Sequence, residues 1–355
     1  MALIGCGRIG TKKHLEAYVR NSDVVELVAV CDLIEDRAKR CADVYEERVG
    51  RRPEVSTDVD EIFKRSDIDA VSIATDSGSH YELSMRALES SKHVLVEKPM
   101  ALSTKHMDDM IDLSKRKDLR LGVCFQNRFN PPVRSLRKKI ESKSFGRIFY
   151  GVASIRWNRN EDYYRQAGWR GRWKSDGGVL MNQSTHAIDI LQWMLGGEVE
   201  EVNAHLENFN HPYIEAEDFG IAWIKFKNGA VGIVEGTSVV YPRNYEETLH
   251  VFGEKGSAGL GGIAMNRITL WRFEGEENHP FMHLPDPDTV YGEGHVPLLR
   301  DFYESIRDGR DPAVPGEEGR KAVDIVLAIY KSHLEGKPVS FPFEFSAWEM
   351  EGLRW

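Results

Sequence analysis

Ala2-Leu3-Ile4-Gly5-Cys6-Gly7-Arg8-Ile9-Gly10 is the stretch on which the reading of this chain turns. A short apolar run meets a G-x-G-x-x-G spacing, and a helical pattern follows from Thr11. In that spacing Gly5 permits the tight turn, Gly7 lets the backbone approach a pyrophosphate, and Gly10 allows close packing of helix on strand. The helix N-terminus then offers N–H donors and a positive dipole end to phosphates, with Arg8 and Ile9 lining the same turn. Asp32 ends the second apolar run, 22 residues after Gly10. Its carboxylate suits the ribose hydroxyls of a dinucleotide and repels a 2′-phosphate. Leu33 and Ile34 bring no cation to offset that, so the expected cofactor is NAD rather than NADP.

Working outward, short apolar runs alternate with helical patterns up to residue 125. They are Val25–Val30, Ala70–Ala74, His93–Val96 and Leu121–Phe125. Nearly continuous apolar strands between amphipathic helices imply a doubly wound parallel sheet, a Rossmann domain over residues 1–125, with a C-terminal helix returning to it as an option. Met1 falls almost inside the first strand, which reads as a trimmed start or a few missing residues. After residue 145 the texture changes to long alternating segments: Ile148–Trp157, Val199–Glu207, Gly220–Phe226, Ala230–Val239 and Glu247–Phe252. With Lys227-Asn228-Gly229 as a turn, they imply a large, mostly antiparallel open sheet in a second, α/β domain over residues 126–355. Helical stretches at 297–308 and 316–334 close the chain.

Of 355 residues, 47 are Lys or Arg and 56 Asp or Glu, leaving a net charge of −9. That balance excludes the basic face of a nucleic-acid protein but permits locally concentrated positive charge. Hydrophobic residues at 41% supply core for about two domains. Cys6, Cys31, Cys41 and Cys124 form no C-x-x-C pair, so no zinc or disulfide framework is expected. No apolar run approaches membrane-spanning length and no leader is apparent. The expected setting is cytoplasmic, without membrane or nucleic-acid partners.

Three further constellations follow apolar runs or glycines. Thr75-Asp76-Ser77-Gly78-Ser79-His80 would wall the cofactor crevice, with Thr75, Ser79 and His80 as candidates. Glu97-Lys98-Pro99 sets a lysine at a strand end before an X-Pro bond that can be cis. The third stretch, Asp176-Gly177-Gly178 through Asn182, His186 and Asp189, puts Asn182 and His186 four apart on one helical face. Asp189 lies one turn on, placed to orient the His186 ring. Two ligands without a third make metal binding by this pair a poor reading, and no metal is expected.

With the turn, Glu97-Lys98-Pro99 and Gly177-Gly178…His186-x-x-Asp189 in this order, the chain resembles the glucose–fructose oxidoreductase/inositol dehydrogenase (Gfo/Idh/MocA) family. The resemblance implies a Rossmann domain followed by a domain whose open sheet mediates oligomer contacts, giving a homodimer or homotetramer. It implies catalytic roles for Lys98 and His186. Many members carry Asp where this chain has Asn182. Gln126-Asn127-Arg128-Phe129, Tyr163 through Gly171, Met181 through His186 and Tyr241-Pro242-Arg243-Asn244 look like the WlbA-type dehydrogenases within that family. Those oxidise the 3-hydroxyl of UDP-N-acetylglucosaminuronate with NAD in surface-polysaccharide biosynthesis. On that likeness Glu97, Lys98 and Gln126 join the cofactor set. Lys98, Arg128, Tyr164, Trp169, Arg170, Asn182, His186 and Tyr241 form the substrate set.

The segment itself points the same way. Arg156, Arg159, Arg165, Arg170, Arg172 and Lys174 face only Glu161 and Asp162 within residues 156–174, interleaved with Trp157, Tyr163, Tyr164, Trp169 and Trp173. Guanidiniums suit carboxylate or phosphate, and aromatics stack on a base or sugar. The expected reaction is hydride removal from a sugar carbinol with His186 as base and Lys98 stabilising the alkoxide; the two roles are exchangeable. Rival readings are a dehydrogenase of another sugar or of an inositol, an NAD-retaining glycoside hydrolase, and a non-catalytic NAD sensor.

Overall fold

The computed structural model describes residues 1–286 and 292–355. Two compact units divide it. One comprises Met1–Ala101, Lys105–Gln126 and Glu293–Arg320; the other comprises Leu102–Thr104, Asn127–Gly292 and Lys321–Trp355.

In the first unit the apolar runs become β1 (Ala2–Ile4), β2 (Ala29–Cys31), β3 (Glu54–Ser56), β4 (Ala70–Ile73), β5 (His93–Val96) and β6 (Leu121–Val123). They form one sheet in the order β3-β2-β1-β4-β5-β6, with every pair parallel. The residues of β1, β2 and β4 are all buried, as expected of strands covered on both faces. Strand order runs outward from β1 in both directions, so the carboxyl ends of β1 and β4 flank the switch point where such sheets bind ligands. β2 starts only at Ala29; Val25–Val28 precede it outside the ladder, although Val28 N–H still bonds Met1 O at 3.0 Å. β3, an edge strand of Glu-Val-Ser, carries no apolar run and escaped the pattern. The helix His295–Arg307 packs on Leu15–Arg20.

In the second unit β7 (Ile148–Arg156), β8 (Val199–Glu207), β9 (Phe219–Phe226), β10 (Val231–Thr237), β11 (Glu246–Gly253), β12 (Gly256–Gly261), β13 (Arg267–Phe273) and β14 (Val339–Ser340) make an eight-stranded sheet. The order is β13-β12-β11-β7-β10-β9-β8-β14, antiparallel except for the parallel pair β7–β10. β9 alternates strictly: Gly220, Ala222, Ile224 and Phe226 are buried, and Ile221, Trp223 and Lys225 point outward. The covered face carries the helix Thr185–Leu195, which is apolar on nearly every side and therefore buried almost throughout. It stops at Gly196, whose φ of +66° supplies the left-handed C-cap. β12, read Gly-Ser-Ala-Gly-Leu-Gly, has no alternation and was not anticipated. No helix among the described residues is long and apolar enough to cross a membrane.

Candidate active site

The glycine turn has the geometry its spacing implies. Gly5 has φ +95°, and a Cβ there would stand 2.5 Å from Ala74 O; a Cβ on Gly10 would stand 2.0 Å from Gly5 O. Neither position admits a side chain. Gly7, by contrast, has nothing within 4 Å of where a Cβ would point, which is the open approach a pyrophosphate needs. Residues Gly10–His14 form one turn of π-helix, closed by Leu15 N–H on Gly10 O, before the α-helix Leu15–Arg20. Arg8 is exposed and Ile9 half-buried beside the turn. Asp32 is held at the end of β2 by two backbone donors, Cys6 N–H on Oδ2 at 2.8 Å and Ile34 N–H on Oδ1 at 2.9 Å. A carboxylate pinned by its two single bonds keeps lone pairs for a ribose diol. These residues fit a dinucleotide.

Behind β4, Thr75 Oγ1 and Ser79 Oγ share a hydrogen bond of 2.7 Å. His80 is buried, and burial lowers its pKa below the ordinary imidazole value, so it stays neutral near pH 7. Its Nδ1–H donates to Pro99 O at 2.8 Å, while Nε2 lies 3.3 Å from Thr75 O. His80 thus ties the β4 loop to the residue after Lys98. The Lys98–Pro99 bond is cis. Gln126, in a short turn after β6, is buried at 2% exposure.

In the second unit Gly177 (φ +83°) and Gly178 pack against Tyr330 and Glu217; a Cβ on Gly178 would stand 2.1 Å from Glu217 Oε2. The stretch after them is not one helix. Val179–Asn182 is a single turn, Gln183 and Ser184 interrupt it, and a new helix opens at Thr185. Asn182 and His186 therefore belong to two consecutive helices. The break is stabilised by Ser184 N–H reaching Val179 O and by Thr185 Oγ1 bonding Leu180 O. Asn182 donates to Asp176 Oδ1, and Gly171 N–H donates to Asp176 Oδ2, so one buried carboxylate orients both. His186 and Asn182 are half-buried.

Asp189 closes a bidentate pair with Arg128, at 2.8 Å from Nε and 2.6 Å from Nη2, and the guanidinium lies 4.8 Å over Trp193. Arg128 was expected to meet substrate; its fork is engaged by this pair at 4% exposure. The basic segment is likewise mostly neutralised by carboxylates far off in sequence. Arg156 meets Glu235 and Glu246, Arg165 meets Glu161, Arg172 meets Glu215, and Lys174 meets Glu351. Among the described residues Arg159 and Arg170 form no ion pair. Arg170 donates to Tyr163 O at 2.7 Å, stacks 4.0 Å over Tyr163 and 5.4 Å from Trp169, and its buried Nε has no partner. Arg159 stacks over Trp157 and Tyr163. Tyr164 is buried with its hydroxyl 3.5 Å from Ser238, Trp169 is half-buried, and Tyr241 is 91% exposed.

Glu217 and Glu247 are buried acids that went unnoticed in the sequence. Glu217 accepts from Leu180 N–H and Tyr330 OH, and burial pushes its pKa up to about 8. Burial alone does the same to Glu247 on β11, whose Oε1 has no partner. His14 and His295, both buried on Glu97, were missed too. A lone histidine inside an apolar helical pattern leaves no signal of its partner.

Residues 1–125 match the model of an oxidoreductase family with an NAD-binding Rossmann fold, and residues 133–259 match the GFO/IDH/MocA C-terminal domain. Two solved structures are similar over nearly the whole chain. The WlbA dehydrogenase of Chromobacterium violaceum is 34% identical with TM-score 0.85, covering 97% of this chain and 96% of that one. Its Bordetella pertussis counterpart is 33% identical with TM-score 0.84, covering 96% and 97%. Both were solved with NADH and UDP-GlcNAcA. A myo-inositol 2-dehydrogenase of Thermotoga maritima is 27% identical over 345 residues, 96% of this chain and 97% of that protein.

Proposed function

Because the chain belongs to the Gfo/Idh/MocA family of NAD-binding oxidoreductases, we propose that it oxidises the 3-hydroxyl of UDP-N-acetylglucosaminuronate. It is an enzyme of the sugar and cyclitol dehydrogenase class, and NAD is its cofactor. The observation that carries the finer reading is Arg170. In a segment whose other cations are mostly cancelled, it keeps an unpaired charge, a buried Nε without a partner and a ring on its face. That combination suits an anionic sugar: the fork takes a carboxylate or phosphate and the aromatics take the ring or base.

The turn's backbone N–H groups would hold the pyrophosphate of NAD and Asp32 its ribose, and the bound cofactor would supply a hydride acceptor for the carbinol carbon. His186 takes the hydroxyl proton, a task suited to an imidazole near neutral pH. Lys98, as an ammonium, stabilises the developing alkoxide. Asn182, oriented by Asp176, hydrogen-bonds a sugar hydroxyl.

A cyclitol reading is supported by the Thermotoga relative. One experiment separates the two. Purified protein with NAD is offered UDP-N-acetylglucosaminuronate, UDP-N-acetylglucosamine, myo-inositol and scyllo-inositol, and NADH appearance is followed. Turnover of the uronate alone is expected. Turnover of an inositol with none of the nucleotide sugar overturns the proposal.

The outer face of the second sheet supports self-association. Ile221, Trp223, Val231 and Ile233 are 37 to 44% exposed on adjacent strands, with Trp223 opposite Ile233. An apolar face of this kind on a charged protein suits a second copy of the chain in a homodimer or tetramer. A cytoplasmic location is part of the same reading.

A further inference from the structure

Three buried side chains of the first unit converge on one oxygen. His14 ends the π-turn that follows the glycine turn, Glu97 follows β5, and His295 opens the helix His295–Arg307. Their exposures are 2, 6 and 3%. His14 Nε2 lies 2.9 Å from Glu97 Oε1 and His295 Nε2 lies 3.3 Å from the same atom, with the two rings edge to face at 5.6 Å. The other carboxylate oxygen, Oε2, accepts the backbone N–H of Lys98 at 3.2 Å. From the next peptide His80 reaches Pro99 O.

Burial by itself is unfavourable to a carboxylate, and three apolar side chains of similar volume would fill this space at lower cost. The group is tolerable only because both of its oxygens meet donors. Burial would raise the Glu97 carboxyl, but the hydrogen bonds from His14 and His295 outweigh it and hold it well below the usual carboxylate range. Burial lowers His295, and its Nδ1 has no hydrogen-bond partner. That fits a neutral ring with its proton on Nε2, since a buried N–H without an acceptor costs more than a bare lone pair.

We infer that His14 and His295 lock Glu97 so that its second oxygen fixes the backbone of Lys98, making the three side chains a positioning device for the lysine amine. The inference rests on the catalytic reading of Lys98 given above. It also joins the helix behind the pyrophosphate turn to the lysine through one carboxylate. Each histidine acts through a single Nε2–H donor, so the amide of a glutamine can stand in for it and a leucine cannot.

The test uses the full chain with His14→Leu, His14→Gln, His295→Leu, His295→Gln and Glu97→Gln, beside Lys98→Met. Thermal melts and NADH fluorescence titration establish that each variant folds and binds cofactor. Lysines are then reductively methylated with ¹³C-formaldehyde, and the Lys98 resonance is identified by its loss in Lys98→Met. Turnover of UDP-N-acetylglucosaminuronate is measured in parallel.

The leucine variants and Glu97→Gln are expected to shift the Lys98 resonance and to lower kcat by about 30- to 100-fold, the scale of a misplacement near 1 Å. The glutamine variants recover most of both. Folded leucine variants with an unshifted resonance overturn the inference. So does equal loss in folded leucine and glutamine variants, or one equivalent of transition metal in the purified protein, because the three ligand-capable atoms lie within 4.8 Å of one another. Should the leucine variants fail to fold, the glutamine pair decides: loss of the native resonance in both overturns it. Wild-type turnover in Lys98→Met sinks the catalytic reading instead, whatever the resonance does.

Discussion

Glu97 in the first unit and the pair Glu217 and Glu247 in the second meet the problem of a buried carboxyl in opposite ways. In the first, Glu97 is ionised and surrounded by donors from His14, His295 and the Lys98 backbone. In the second, burial pushes Glu217 and Glu247 up to about 8, so both are neutral at pH 7 and need fewer partners. Their dependence on pH follows with opposite sign. Glu97 is lowered in the fold, so its contribution to stability is present above the unfolded carboxyl pKa near 4.5 and fades as pH falls. His295 is lowered too, so protonating it costs stability as pH drops below 6.5. Glu217 and Glu247 are raised, and their contribution is full below pH 4.5 and is lost as pH climbs toward 8. Glu97 and His295 therefore make their part of the cofactor unit acid-sensitive, and Glu217 and Glu247 make theirs in the sheet unit weaken toward alkali.

The largest effect that can test this division of labour is chemical. Lys98→Met and His186→Asn are each expected to lower kcat by about 10³-fold while NADH binding changes by less than about threefold, read by steady-state turnover and fluorescence titration. A smaller effect separates the cations of the basic segment. Arg170→Met raises KM for the UDP-uronate by about tenfold or more, since a charge-assisted pair contributes about 1.5–3 kcal/mol. Arg172→Met, exposed and already paired with Glu215, changes KM by less than about twofold. Equal effects would place the anion elsewhere.

The pH contrast is tested by hydrogen exchange with mass spectrometry, corrected for intrinsic rates, at pH 5.5 and 8. Protection in β4 and β5 is expected to fall at the acid value, and protection in β9 and β11 at the alkaline one. Parallel loss in both sheets would break the comparison. Smallest of all, Glu247→Gln replaces a neutral acid by a neutral amide. Its melting temperature is expected to match the wild type near pH 5 and to exceed it by a few degrees near pH 8, seen by calorimetry.

How much of the site could be read from the sequence follows from where each residue finds its partner. Gly10 meets Gly5 O within the turn and Asp32 bonds that turn directly, so spacing pointed to them, whereas the Ala74 carbonyl that crowds Gly5 follows β4, 69 residues on, and left no mark in the motif. The cations of 156–174 were visible as a cluster, but Glu215, Glu235, Glu246 and Glu351, which neutralise three of them, lie outside it, so the cluster looked more positive than it is. Asn182 and His186 were read as one face, and the two-residue break between them follows from side-chain and backbone bonds that no periodicity reports. β3 and β12 were lost because a three-residue edge strand and a glycine-rich strand carry no alternation.

By itself the sequence determined the dinucleotide turn, the parallel and antiparallel sheets, the choice of NAD and the family resemblance. These are matters of local backbone conformation and of period-two or continuous apolar patterning, written within a few residues. Only the tertiary structure decided which cations remain unpaired, which acids are neutral and which histidines hold Glu97. For Glu217 and Glu97, charge state and hydrogen bonding depend on burial and on neighbours that lie 37 to 198 residues away, and no local pattern contains them.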